Sequence, residues 1–204
     1  MVPGVDQPLV SVVTPTWQRR NILLNRCIPS VQAQTWPHVE HIVVCDGPDP
    51  RLEAYVAGAA DDRLRFAFLP EHDPAVPWGT RARLHGIDLA KGDIIAYLDD
   101  DNAWHPQMLE KTAGALLRDG TGFAYCQELW VNHGNLVGSD PPVFGQIDTS
   151  VIVHRRELLG TATWRYEPGQ QTIDWDLVER WVRGGATWSH VPEILVNYYG
   201  PGGS

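Results

Sequence analysis

Cysteine is scarce in this chain, and its number is odd. Cys27, Cys45 and Cys126 are far apart in 204 residues, and no Cys-x-x-Cys occurs. That spacing suggests neither a zinc site nor a redox dithiol, and it fits a reducing, cytoplasmic compartment. Long apolar runs are also missing. None approaches the roughly 18 residues of a membrane-spanning helix, and the N-terminal MVPGVDQPLV has neither the basic start nor the apolar stretch of a signal peptide. Positive charge is in deficit, with 16 Lys and Arg against 25 Asp and Glu and a net charge of −9. A nucleic acid or an anionic membrane is therefore not the expected partner. No Gly-x-Gly-x-x-Gly follows an apolar run and no phosphate-binding P-loop occurs, which disfavours a dehydrogenase.

What remains is the composition of an ordinary globular domain, 43% hydrophobic and 20% charged. The length suits one large domain with a real core. No repeats and no linker are visible, and only the terminal GPGGS is of low complexity and expected to be mobile. There are nine tryptophans; core packing accounts for most, and stacking on a sugar or a base is the other use.

Along the first half, apolar β-branched runs alternate with helical patterns. LVSVVT, HIVVCDG, RLRFAFL and DIIAYL read as strands. Between them, Leu24, Cys27, Ile28 and Val31 fall at i, i+3, i+4, i+7 of a helix that Pro29 should kink or split. A weak helix is expected around 51–59. A further helix is expected from Thr80 to Lys91, with Gly92 as its C-cap. This rhythm implies βαβ units and a largely parallel sheet, whose ligands sit at the carboxyl ends of strands. Three chemically suggestive stretches share that position: Thr14-Pro15-Thr16, Asp46-Gly47 and Asp99-Asp100-Asp101. The second half is less regular. Pro106 opens a helix carrying Met108, Leu109, Thr112, Ala113, Leu116 and Leu117. FAYCQELWV should turn into a hairpin at NHGN, and IDTSVIVHRRELLG reads as a strand running into a short helix.

The acids pose the sharpest question. Two like charges about 4 Å apart repel by on the order of 1 kcal/mol in water and several-fold more near a protein surface. Asp99, Asp100 and Asp101 therefore need either a cation or a splayed, solvated turn. Further on, TIDWDLVERWVRGG places Ile173, Leu177, Val178, Trp181 and Val182 on one helix face. Asp174 lies on that inward face in the first turn, while Asp176 aligns with Glu179, Arg180 and Arg183 on the solvated side. An inward carboxylate at a helix start is either a simple cap or a placed general base.

In order and spacing, the segments VSVVTPTWQRR, SVQAQTWPHVEHIVVCDG, GIDLAKGDIIAYLDDDN, QIDTSVIVHRR and TIDWDLVERW resemble family 2 glycosyltransferases of the GT-A fold. The resemblance runs from about Leu9 to Tyr199 and is closest to small soluble members such as those of bacterial spore coats. It implies an α/β fold: a single GT-A domain over 1–204, with a mostly parallel, mixed central sheet flanked by helices. A nucleotide-binding half would span about 9–102 and an acceptor-binding half about 103–199. It further implies that Pro15 and Trp17 line the nucleotide base, Trp17 standing where the family usually has Tyr, and that Asp46 accepts a hydrogen bond from the base. Arg83 would approach the nucleotide from RLHG, where the family has RNxG. Asp99 and Asp100 would contact the nucleotide, and Asp100 and Asp101 would coordinate Mn²⁺ or Mg²⁺. Asp174 matches the catalytic base. Asp148 and Trp175 are candidates for the acceptor site.

Two departures accompany these matches: Ile173 replaces the Glu usual before the base, and YYGPGG lacks a late His that some relatives carry. The expected activity is inverting, metal-dependent transfer of one sugar from a nucleotide-diphosphate sugar, taken as UDP-linked, to a hydroxyl of a glycan, a lipid-linked intermediate or a small molecule. A non-catalytic nucleotide-sugar-binding module and a nucleotidyltransferase are the alternatives. His154, inside the apolar SVIVHRR, is read as structural. Trp104 and Trp164 join Trp175 as possible stacking surfaces, and Arg19 and Arg20 as possible phosphate contacts. No motif identifies the sugar, the linkage or the oligomeric state.

Overall fold

The computed structural model describes residues 7–58 and 61–200, so all but the first residue of the GPGGS tail lies outside the described residues. The first apolar run forms β1 (Val10–Thr16), with every residue buried, as expected of a central strand covered on both faces. It pairs in parallel with β2 (Val39–Cys45) on one side and with β4 (Ile94–Tyr97) on the other. Beyond β2 lies the partly exposed edge strand β3 (Leu64–Phe68), again parallel. The expected parallel half is thus present in the order β3-β2-β1-β4.

The second half continues the same sheet with mixed directions. β8 (Ile152–Arg155) runs antiparallel to β4, and β6 (Phe123–Trp130) antiparallel to β8. β9 (Trp188–Tyr198) lies parallel to β6, and the short β5 (Ala103–Trp104) closes that edge antiparallel to β9. The NHGN turn delivers the expected hairpin, joining β6 to β7 (Asn135–Val137). Among the described residues, nine strands form this one sheet.

Helices cover the faces. The first helical stretch departs from the expected periodicity. It is split into α1 (Arg20–Ile22), a π-helical turn (Leu23–Cys27) and α2 (Ile28–Gln32). Pro29 has no N–H to give to Asn25, and its ring would strike that carbonyl in a regular helix. Instead the Ile28 N–H bonds to Leu23 O, five residues back. The extra residue rotates the face, so that Leu23 rather than Leu24 is fully buried beside Cys27, Ile28 and Val31. α3 (Pro50–Val56) starts on Asp49, whose carboxylate accepts from the N–H groups of Arg51 and Leu52.

α4 (Thr80–Leu89) ends before Gly92, which is not its cap. Gly92 is required for a different reason. A Cβ there would sit 2.4 Å from Leu9 O and 2.8 Å from Ser11 N, so only glycine lets this turn lie against β1. α5 (Met108–Asp119) does end on a left-handed glycine, Gly120. α6 (Ile173–Arg183) buries Ile173, Leu177, Val178 and Trp181, as its pattern requires, while Val182 is half-buried.

β9 has no counterpart in the sequence reading. Pro192, Glu193 and Ile194 interrupt its alternation, and the register jumps from Cys126–Val191 to Gln127–Ile194. A proline at such a bulge gives up no ladder bond. Trp164 and Trp181 are 1% and 0% exposed in the core, and Trp104 is 4% exposed with its N–H on Ser150 O. Trp104 and Trp164 are therefore packing residues and not stacking surfaces. His154 is structural, as expected: Nε2 meets the Tyr97 hydroxyl and Nδ1 meets Arg155 O. Burial lowers its pKa to about 4.

Candidate active site

Because β2, β1 and β4 are parallel neighbours, their carboxyl ends open on one rim of the sheet. The strand order reverses at β1, with β2 and β3 on one side and β4 on the other, which is where open α/β sheets leave a crevice. The three stretches singled out by sequence meet here. Thr16, the last residue of β1, donates its hydroxyl to Asp100 Oδ2 at 2.7 Å. Arg19 Nη1 lies 3.2 Å from Asp100 Oδ1 and 2.6 Å from Asp101 Oδ2. Asp99 turns the other way, to Arg83 Nη2 at 2.9 Å. Thus two of the three consecutive acids converge on one cation and the third is splayed away.

The compensation is incomplete. Burial pushes the Asp100 carboxyl up to about 6, against the opposing pull of Thr16 and Arg19. Asp101 is raised first by burial and then by the charge of Asp99. Arg26 caps the turn from outside, donating to Asp101 O at 2.9 Å while its guanidinium lies 3.8 Å from the Tyr199 ring centroid. An open cleft of about 750 Å³ adjoins this corner, with Arg19, Arg20, Pro48, Asp49 and Arg51 among its walls.

Arg83 is 1% exposed. Its guanidinium lies 4.5 Å from the Trp164 ring centroid and donates to Trp78 O as well as to Asp99. It therefore meets the rim through Asp99 and the loop before α4, not as a free cation. That loop crosses Pro15: a Cβ on Gly79 would fall 2.6 Å from Pro15 Cβ, and both Trp78 and Gly79 adopt positive φ.

At the end of β2, Asp46 is 3% exposed and Oδ2 bonds to His72 Nδ1 at 2.9 Å. The His72 ring stacks on Trp17, with centroids 4.5 Å apart and planes 7° from parallel. Nothing in the sequence marked His72, which sits in a Pro-rich loop without periodicity.

A second group of acids faces the rim from the other half. Asp174, in the first turn of α6, accepts from the Trp175 N–H at 2.8 Å and is half-buried. Burial and the charge of Asp99 raise its pKa, against that hydrogen bond. Asp176 lies on the outer side, ion-paired with Arg165 and Arg180, so the helix separates the two acids as the pattern implied. Asp148 caps the short 3-10 turn before β8 through Ser150 N at 2.9 Å. Burial raises it well above the usual carboxylate range, and Glu128, Asp174 and Asp99 add to that. Glu128, on β6, is 0% exposed and bonded to Trp130 Nε1 at 2.7 Å. Burial, and then Asp174 and Asp99, push it to about 7. Glu128 continues the register of buried Ala124 and Cys126, and that period-two position on an inward face is the signal that marks it in the sequence. Trp175 is half-buried against the core.

The family model for glycosyl transferase family 2 matches residues 11–170. The chain belongs to glycosyl transferase family 2. Among curated proteins, a Bacillus subtilis protein named for teichuronic acid biosynthesis, TuaG, is 31% identical over 123 residues, covering 58% of this chain and 46% of TuaG. The chain thus spans about half of that relative's length. Among solved structures, S. aureus TarS 1-349 with UDP-GlcNAc superposes at a TM-score of 0.77 with 16% identity, covering 96% of this chain and 60% of that one. The mannosyltransferase PcManGT from Pyrobaculum calidifontis, with GDP-Man and Mn²⁺, superposes at 0.74 with 15% identity, covering 97% and 59%. These likenesses establish the GT-A fold for the family 2 chain. Among the described residues, no helix is long and apolar enough to cross a membrane.

Proposed function

We propose that this family 2 chain is an inverting glycosyltransferase domain that moves one sugar from a UDP-linked donor to an acceptor hydroxyl. In this reading 1–204 is one catalytic domain, with the donor bound by about 9–102 and the acceptor by about 103–199. The observation that carries it is the pairing of Asp174 with the acid turn. Burial first, and then the charge of Asp99, raise the proton affinity of this inward carboxylate from α6. A base poised in this way takes a proton more readily than an ordinary surface aspartate.

Two convergent carboxylates suit the divalent cation, Mn²⁺ or Mg²⁺, that the family's fold implies. Asp100 and Asp101 already present oxygens to a single cationic nitrogen, Arg19 Nη1. Among the described residues, no group of three or more His, Cys, Asp or Glu is arranged as a metal cage. A cation such as Mg²⁺ takes one or two carboxylates and completes its shell with phosphate oxygens and water. Bound there, it would supply Lewis-acid stabilisation of the charge on the departing diphosphate.

The chain's own residues do the rest. Trp17 and Pro15 line the base, Asp46 accepts from it, and Asp99, held by Arg83, contacts the nucleotide. Asp174 removes the acceptor proton as the hydroxyl oxygen attacks the anomeric carbon from the face opposite the leaving group. A single base with no enzyme nucleophile gives inversion. Asp148 and Trp175 border the acceptor, which we take to be a glycan, a lipid-linked intermediate or a small molecule. The three free, buried cysteines fit a reducing compartment, the cytoplasm.

The test is a thermal-shift panel of UDP, GDP and dTDP, each with and without Mn²⁺. A ligand at 100 times its Kd adds about 2.7 kcal/mol, which is a rise of roughly 5–10 °C in a domain of this size. A metal-dependent shift with UDP is expected. No shift with any nucleotide would refute the donor site.

A further inference from the structure

The proposed base-contacting residues are already occupied by another part of the chain. His72 makes the two contacts assigned to the base. Its ring lies parallel to Trp17 at 4.5 Å, and its Nδ1 is 2.9 Å from Asp46 Oδ2. The Asp46 side chain is only 5% exposed, and its second oxygen, Oδ1, is buried with no partner among the described residues. A base arriving from solvent therefore finds one oxygen covered by His72 and the other sealed.

The enclosure has a specific local cause. Gly47 adopts a φ of +126°, and a Cβ there would meet Trp17 Cζ3 at 2.7 Å and His72 N at 2.9 Å. Glycine alone lets the indole and the loop after β3 close together over the end of β2. The Leu69 N–H bonds to Cys45 O and anchors the start of that loop. His72 itself sits at the lip, with its side chain 32% exposed. It can swing into solvent with little repacking.

We propose that His72 is a placeholder for the nucleobase: it holds Trp17 and Asp46 in place and must leave before a base engages them. This rests on the reading that Trp17 and Asp46 contact the base. An imidazole N–H on a buried carboxylate, stacked on an indole, resembles the ring N–H and flat face of uracil. Asp46 thereby keeps a hydrogen-bond donor in either state, which avoids a buried carboxylate without partners. It also favours a base that carries a ring N–H, because only such a base replaces what His72 withdraws.

The placeholder competes with the ligand, so its removal should tighten binding. The test is calorimetric titration of UDP with Mn²⁺ into the wild-type chain and into His72→Ala, His72→Phe, Asp46→Ala and Trp17→Ala. His72→Ala should bind UDP roughly tenfold more tightly, from the lost stack and hydrogen bond together. His72→Phe, which keeps the stack but not the hydrogen bond, should fall between. In the wild type, the ring proton and nitrogen signals of His72 should shift to solvent-exposed values as UDP saturates. Weaker or unchanged UDP binding by His72→Ala, with Asp46→Ala and Trp17→Ala both impaired, would overturn the placeholder and leave the base site standing. Unchanged binding by Asp46→Ala and Trp17→Ala would remove the base site and the placeholder together.

Discussion

Glu128→Gln should stabilise this protein at alkaline pH, and the gain should grow with pH. Glu128 is fully buried on β6, and burial together with the Asp174 and Asp99 charges lifts it from 4.5 to about 7. A folded-state pKa above the unfolded one means that the native protein binds the extra proton. Stability is then lost as pH rises between those two values. The lift corresponds to about 3 kcal/mol once Glu128 is fully ionised. Most of that falls between about pH 5 and pH 8.5 by the same linkage.

Glutamine keeps the acceptor for Trp130 Nε1 and carries no charge. Its amide nitrogen would stand where Glu128 Oε2 is buried without a partner among the described residues. That costs about 1 kcal/mol at every pH. Thermal melts of the two proteins at pH 5 and pH 8.5 should therefore diverge, the variant gaining about 5–10 °C relative to wild type at the higher pH. A difference in midpoint that does not change with pH would refute the reasoning, because a purely steric or hydrogen-bonding effect has no such dependence.

Gly92→Ala should cost about 2–3 kcal/mol by urea denaturation with an unchanged m-value, since its Cβ would meet the backbone of Leu9 and Ser11 at 2.4 and 2.8 Å. A loss below about 0.5 kcal/mol would show that the turn relaxes freely. Arg83→Lys should cost about 2–3 kcal/mol in the same assay, because an ammonium cannot bond Asp99 and Trp78 O while lying over Trp164. A neutral outcome would show that the buried fork is dispensable.

Most of the parallel half was legible because β1, β2 and β4 are buried along their whole length and read as unbroken apolar runs ended by Pro, Gly or acids. The amphipathic face of α6 was equally plain, and helical periodicity alone separates Asp174 from Asp176. Other features were not legible for physical reasons. The π-turn at Leu23–Cys27 depends on how the chain relieves Pro29, a choice that periodicity cannot encode. β9 is hidden by its bulge at Pro192. Gly92 gave a true signal with the wrong cause, close approach to β1 instead of a helix cap.

The strand-end rule gathered Thr14-Pro15-Thr16, Asp46-Gly47 and the acid turn on one rim of the sheet. It could not show that Arg19 would bridge Asp100 and Asp101, or that His72 would cover Asp46. Those are contacts between loops far apart in sequence. Glu128 was within reach of a period-two reading of FAYCQELW, and the neighbouring buried aromatics obscured it.

Asp174→Asn probes the proposed general base, by comparing release of UDP from a UDP-sugar in the presence of acceptor with calorimetric UDP affinity on the same folded protein. Turnover should fall roughly 10²–10⁴-fold with nucleotide affinity unchanged. Near-full turnover by the folded variant would show that Asp174 is not the base.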